Sequence, residues 1–166
     1  MNNQSIVVMG VSGCGKSLIG QQLAQALQLP FFDADDFHSA DNVSKMASGV
    51  PLTDADRADW LDSLAQLIRT RAPLVLACSA LRQRYRDALR EADPSLVFVH
   101  LDGDIDTIWA RLSQRRDHYF NGRDMLQSQF EQLERPGLDE AFRIDINRPA
   151  EAVLDACLDV IGRGTA

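Results

Sequence analysis

Residues 10–17, Gly10-Val11-Ser12-Gly13-Cys14-Gly15-Lys16-Ser17, follow directly on the apolar run Ile6-Val7-Val8-Met9 and fit the spacing G-x-x-x-x-G-K-[ST]. This octet restricts the fold more than any other stretch. Backbone N–H groups converge on phosphate oxygens only if glycines stand where a Cβ would block the approach or φ must be positive. A helix must open at the end of the loop, because its N-terminus adds partial positive charge. Leu18, Ile19, Leu23, Ala24 and Leu27 duly recur at helical spacing. The expected unit is strand, loop and helix holding a nucleotide tail. Gly10, Val11, Ser12, Gly13, Cys14 and Gly15 surround the phosphates, Lys16 reaches the β- and γ-phosphates, and the Ser17 hydroxyl ligates Mg²⁺.

Beyond the loop, short apolar runs alternate with helical patterns. Strands are expected at Ile6–Met9, Phe31–Phe32, Leu74–Ala77, Leu96–Leu101 and Phe142–Ile146. Helices are expected at Lys16–Gln28, Thr53–Arg71, Leu81–Glu91, Asp104–Arg115, Met125–Leu133 and Pro149–Ile161. Thr53 with Asp56 reads as a capping-box variant, and Pro149 suits a first helical position. The third and fourth runs are continuously apolar, as in strands covered on both faces. Such alternation implies right-handed βαβ crossovers: a three-layer α/β/α P-loop fold on a parallel five-stranded sheet, with ligands at the carboxyl ends of its strands. Residues 1–166 read as one domain with two additions, a polar segment at 37–52 expected to form short helical turns and a charged one at 115–124.

Charge and composition remove several classes. A net charge of −7 speaks against a nucleic-acid or anionic-membrane binder, so an anionic ligand must meet a local basic cluster. Cys14, Cys78 and Cys157 lack metal-ligand spacing and read as packing residues of a reduced, cytoplasmic protein. No apolar run approaches the roughly 20 residues of a membrane span, and no signal peptide is expected.

A phosphate loop alone does not separate motors, GTPases and small-molecule kinases. No N-K-x-D guanine motif occurs, and no D-x-x-G follows the second strand. Phe32-Asp33-Ala34-Asp35-Asp36 stands there instead. Alternation along an extended segment would place Asp33 and Asp35 on one side, one organising Mg²⁺ and the other accepting a hydroxyl proton. With that block, the chain resembles the small phosphate-loop gluconokinases of bacteria. The matching segments are the loop itself, Asp33–His38, Asn42–Arg57 (N-V-S-K-M-A-S-G-V-P-L-T-D-A-D-R), Trp60-Leu61, Cys78–Arg90 and Ser128–Pro136. They run over most of the chain in the family's order; the substrate-side signatures of shikimate and adenylate kinases are missing.

The resemblance implies a nucleoside-monophosphate-kinase-like fold with a lid, a homodimer, and transfer from ATP to the C6 hydroxyl of D-gluconate. Gluconate asks for cations around its carboxylate and short polar groups around its hydroxyls. His38, Lys45, Arg57, Ser79, Arg82 and Arg86 supply both, with Asp35 as base and Asp33 nearer magnesium. Plainer roles compete: Arg57 and Arg86 as surface ion-pair partners, Lys45 as a solvated lysine, Ser79 as a helix N-cap, His38 as a packing residue, Trp60 as core or groove wall.

Arg111, Arg115, Arg116 and His118 belong to the expected lid, where Arg115 would neutralise charge on the transferring phosphoryl group, His118 would meet substrate and Arg111 the nucleotide. Asn147-Arg148-Pro149 resembles the family's adenine-side turn, which gives Arg148 to the nucleotide. Two departures stand out. His118–Leu126 runs one residue longer than the family's lid, and Cys14 replaces a hydroxyl or other small residue. At a helix N-terminus, Cys14 is expected to have a lowered pKa and to react with thiol reagents.

Overall fold

The computed structural model describes residues 4–114 and 123–164. In chain order these form β1 (Ile6–Met9), α1 (Lys16–Leu27), β2 (Phe31–Asp33), a 3-10 turn (Ala34–Phe37), α2 (Ala40–Ala47) and α3 (Asp54–Arg71). Then come β3 (Val75–Ala77), α4 (Gln83–Ala92), β4 (Val97–Asp102), α5 (Ile105–Ser113), α6 (Arg123–Gln132), β5 (Phe142–Asp145) and α7 (Ala150–Gly164). All strand pairs are parallel, in the order β2-β3-β1-β4-β5. β1, which delivers the phosphate loop, is central.

The pleat of β1 divides its side chains between two cores. Ile6 and Val8 pack with Val75, Val99 and Leu101 against α1, α5, α6 and α7. Val7 and Met9 pack with Leu76 and Phe98 against α3 and α4. Both faces being dry, the strands carry unbroken apolar runs. Burying one Leu such as Leu64, which is wholly enclosed, contributes about 1.5–3 kcal/mol.

The ends of the elements decide where the polar groups emerge. Thr53 caps α3 with a complete capping box, its hydroxyl accepting from Asp56 N while the Asp56 carboxylate accepts from Thr53 N. Asp104 likewise caps α5. α4, however, opens at Gln83 with Arg82 as its cap residue, so Ser79 does not cap it. The segment after β2 is more ordered than short turns, because Ser39 caps the two-turn helix α2 and accepts from Asn42 N.

Candidate functional site

Glycine geometry builds the phosphate loop. Gly10, at φ +147°, leaves no room for a Cβ, which would lie 2.7 Å from Cys14 Sγ and 2.8 Å from the Leu101 carbonyl oxygen. Gly15 is left-handed at φ +99° and hands the chain to α1. Gly10 N donates to the Ser79 carbonyl at 3.3 Å, tying the loop to the end of β3. Lys16 Nζ folds back onto the Val11 carbonyl at 3.1 Å. A lysine bonded to one neutral carbonyl keeps donors available for phosphate.

Cys14 does not behave as the sequence suggested. It is 2% exposed, and burial pushes its thiol pKa up, outweighing the opposing pull of Lys16. A buried thiol is a poor nucleophile.

The acidic pair meets the loop through a turn, not through strand alternation. Ser17 Oγ donates to Asp33 Oδ2 at 2.8 Å, and Asp35 N donates to Asp33 Oδ1 at 3.0 Å. Asp33 thus caps the 3-10 turn with one oxygen and holds the loop's serine with the other. Asp35 follows on this turn. Its pKa is raised, first by the protein crowded around it and then by the charge of Asp33, against the pull of Lys16. As a whole, the residue is exposed on the turn. A carboxylate kept away from its most stable charged state is suited to taking a proton.

The turn is anchored by a residue not assigned a contact from sequence. Trp60 Nε1, on α3, donates to the Ala34 carbonyl at 2.7 Å. The Trp60 ring stacks on His38, centroids 4.5 Å apart and planes 11° from parallel. Burial lowers the His38 pKa, with Asp35 opposing and Arg57 reinforcing the shift.

The expected cations separate into three kinds. Arg57 donates to Tyr85 Oη at 3.2 Å, and no described carboxylate pairs with it. Arg82 is half-buried, and its side chain has no hydrogen-bond or ion-pair partner among the described residues. Lys45 is committed to Asp56, at 2.9 and 3.0 Å, which with the cap bonds holds the Asp56 pKa down at about 2. That pair lines a 430 Å³ groove between α2 and α3, beside the acidic turn. Arg86 is placed differently, inside the fold. At 1% exposure it bonds Glu140 at 2.6 Å and the carbonyls of Ala80 and Glu134 at 2.8 Å each. Four of its five N–H donors are engaged inside the fold, where they pin the return from α6 to β5.

Arg111 donates to the Ile146 carbonyl at 2.6 Å and Arg148 to the Asp145 carbonyl at 2.8 Å. Both therefore flank the turn after β5. Gln129 on α6 forms a reciprocal pair with Ser12, accepting from its N–H at 2.7 Å and donating to its hydroxyl at 2.9 Å. Sequence reading missed Gln129, although it lies in the Ser128–Pro136 run that carried the resemblance. Arg115, Arg116 and His118 lie outside the described residues.

Comparison with known proteins gives a consistent family. The family model described as Shikimate kinase matches residues 12–161. The thermoresistant gluconokinase of Escherichia coli K12 is 44% identical over 164 residues, covering 95% of this chain and 93% of that protein. A gluconokinase crystal structure from Sinorhizobium meliloti superposes with a TM-score of 0.91 at 40% identity, covering 97% of this chain and 93% of that one. Shikimate kinase from Aquifex aeolicus reaches a TM-score of 0.68 at 16% identity, covering 98% of each, which is a likeness of fold.

Proposed function

The chain belongs to the gluconokinase family of small phosphate-loop kinases, and on that premise we propose how its residues carry out ATP-dependent phosphorylation of D-gluconate. The carrying observation is Asp33, which bonds the loop's Ser17 with one oxygen and the backbone of Asp35 with the other. In this reading, phosphate donor and hydroxyl acceptor meet at a single turn.

The loop amides and Lys16 hold the β- and γ-phosphates, aided by the α1 N-terminus. Asp35 accepts the proton of the C6 hydroxyl, whose oxygen bonds the γ-phosphorus as the bond to ADP breaks. Arg57 and Arg82, two cations without carboxylate partners among the described residues, meet the gluconate carboxylate, while Ser79 and His38 bond its hydroxyls. Lys45 joins them only by exchanging Asp56 for substrate. Arg111 and Arg148 border the nucleotide's base end, and Arg115 and His118 act from the lid. The Ser17 hydroxyl and Asp33 carboxylate are hard oxygen donors 2.8 Å apart and fit Mg²⁺, which takes one or two protein oxygens and otherwise phosphates and water. Bound there, Mg²⁺ supplies neutralisation of phosphate charge.

The same reading includes a cytoplasmic homodimer, tested by light scattering of the purified chain. It includes neither nucleic-acid nor membrane partners, supported by the net charge of −7. No helix among the described residues is long and apolar enough to cross a membrane. ADP release measured with gluconate, shikimate, glycerate and nucleoside monophosphates tests the substrate. Gluconate should give the highest kcat/KM; release no faster than without acceptor would refute it.

A further inference from the structure

We propose that Asn42 is a positioning residue that fixes His38 in the tautomer carrying its proton on Nε2, so that His38 meets the sugar acid as a neutral hydrogen-bond donor and not as a base. The chain of contacts begins at a main-chain carbonyl. Asn42 is 4% exposed, and its Nδ2 donates to the Asp56 carbonyl oxygen at 2.9 Å. A carbonyl cannot donate, so this contact dictates which end of the amide is nitrogen. The second Nδ2 contact is His38 Nδ1, at 3.3 Å. An N–H facing a ring nitrogen requires a lone pair there, which puts the proton of the neutral imidazole on Nε2.

Three further features hold this arrangement. The His38 ring is stacked on Trp60, which is itself buried and bonded to Ala34, so the imidazole cannot turn freely. α2 buries Asn42 while leaving Val43 and Met46 half exposed, the reverse of an ordinary amphipathic helix. Its packing is thus organised around the polar contact. Finally, the crowding of the site disfavours a charged His38, with Asp35 opposing and Arg57 on α3 reinforcing this to a smaller extent. No described residue accepts from Nε2, which leaves this N–H for a ligand oxygen.

The donor role rests on the sugar-acid reading, whereas the tautomer does not, and the test separates them. In the full chain labelled with ¹⁵N-histidine and free of ligand, long-range ¹⁵N–¹H spectra at neutral pH report each ring nitrogen, with His38→Gln identifying the His38 signals among three histidines. His38 is expected to show bare Nδ1 and protonated Nε2. Asn42→Ala should yield a mixture of tautomers and raise the gluconate KM by about tenfold, with the ATP KM unchanged. In a His38→Gln background, where the amide N–H needs no tautomer set, Asn42→Ala should leave the gluconate KM where it was. Protonated Nδ1 in the unmutated chain overturns the proposal, and that spectrum decides alone if Asn42→Ala does not fold. An equal rise in KM in both backgrounds also overturns it, as a purely structural role for Asn42. Failure with gluconate but a bare Nδ1 would refute the substrate instead.

Discussion

Replacing Arg86 by Ala separates a structural arginine from a substrate-binding one. The side chain is 1% exposed and satisfies three groups at once: the Glu140 carboxylate and the carbonyls of Ala80 and Glu134. Removing one partner of a buried ion pair costs about 3–5 kcal/mol. Glu140 keeps Arg90 at 2.9 Å, which eases its loss. The two orphaned carbonyls each add about 1–3 kcal/mol where water does not reach them. A net loss of about 4 kcal/mol follows, because relief at Glu140 offsets part of that sum. A chain of 166 residues melts with an entropy of about 0.35 kcal/mol/K, so Tm should drop by about 10 °C. Urea denaturation and a thermal melt measure this, and gluconate KM is then read on the folded variant at low temperature. Arg82→Ala serves as contrast: with no described partner to abandon, it should shift stability by no more than about 0.5 kcal/mol and act on gluconate KM instead. If Arg86→Ala melted with the unmutated chain while gluconate KM rose a hundredfold, the buried-clamp assignment would be wrong.

Further outcomes follow from the same geometry. Cys14, buried and with a raised pKa, should resist iodoacetamide in the native state and become reactive only in denaturant, as peptide mapping would report; fast native labelling would contradict this. His100 on β4 is buried, and burial lowers its pKa to about 4. The unfolded chain therefore binds more protons below about pH 6.5, and stability falls as pH drops from there. His100→Gln should flatten that part of the Tm–pH curve, and an unaltered slope would refute it. For Asp35 the raised pKa has a kinetic consequence: the base is lost as pH falls through a value above the ordinary 3.8. The acid limb of kcat/KM for gluconate should therefore lie above that value, and activity persisting below it would exclude Asp35 as the base.

The phosphate loop was legible because its backbone geometry is written directly into glycine positions, and the sheet because strands covered on both sides must be apolar throughout. The acidic pair was located for the wrong reason: Asp33 and Asp35 come together through an N-cap on a 3-10 turn, not by alternation along a strand. The burial of Arg86 was not legible because nothing local distinguishes an arginine reaching Glu140, 54 residues on, from one facing solvent. Trp60–Ala34 and Gln129–Ser12 are equally long-range. Asn42 left a trace, a polar residue on a helix whose valine and methionine turn outward, but only burial gives that trace meaning. The Cys14 expectation weighed the helix terminus and omitted enclosure, which is the larger influence.

Turnover and nucleotide affinity of Asp35→Asn probe the chemistry at its core, an acid beside the phosphate loop drawing the proton from gluconate's terminal alcohol. The amide keeps the shape of the side chain and cannot accept that proton. ADP release with saturating gluconate should fall on the order of 10²–10⁴-fold, while ATP affinity stays within a few-fold of the unmutated chain. Turnover at the unmutated rate, with affinity unchanged, would contradict the assignment.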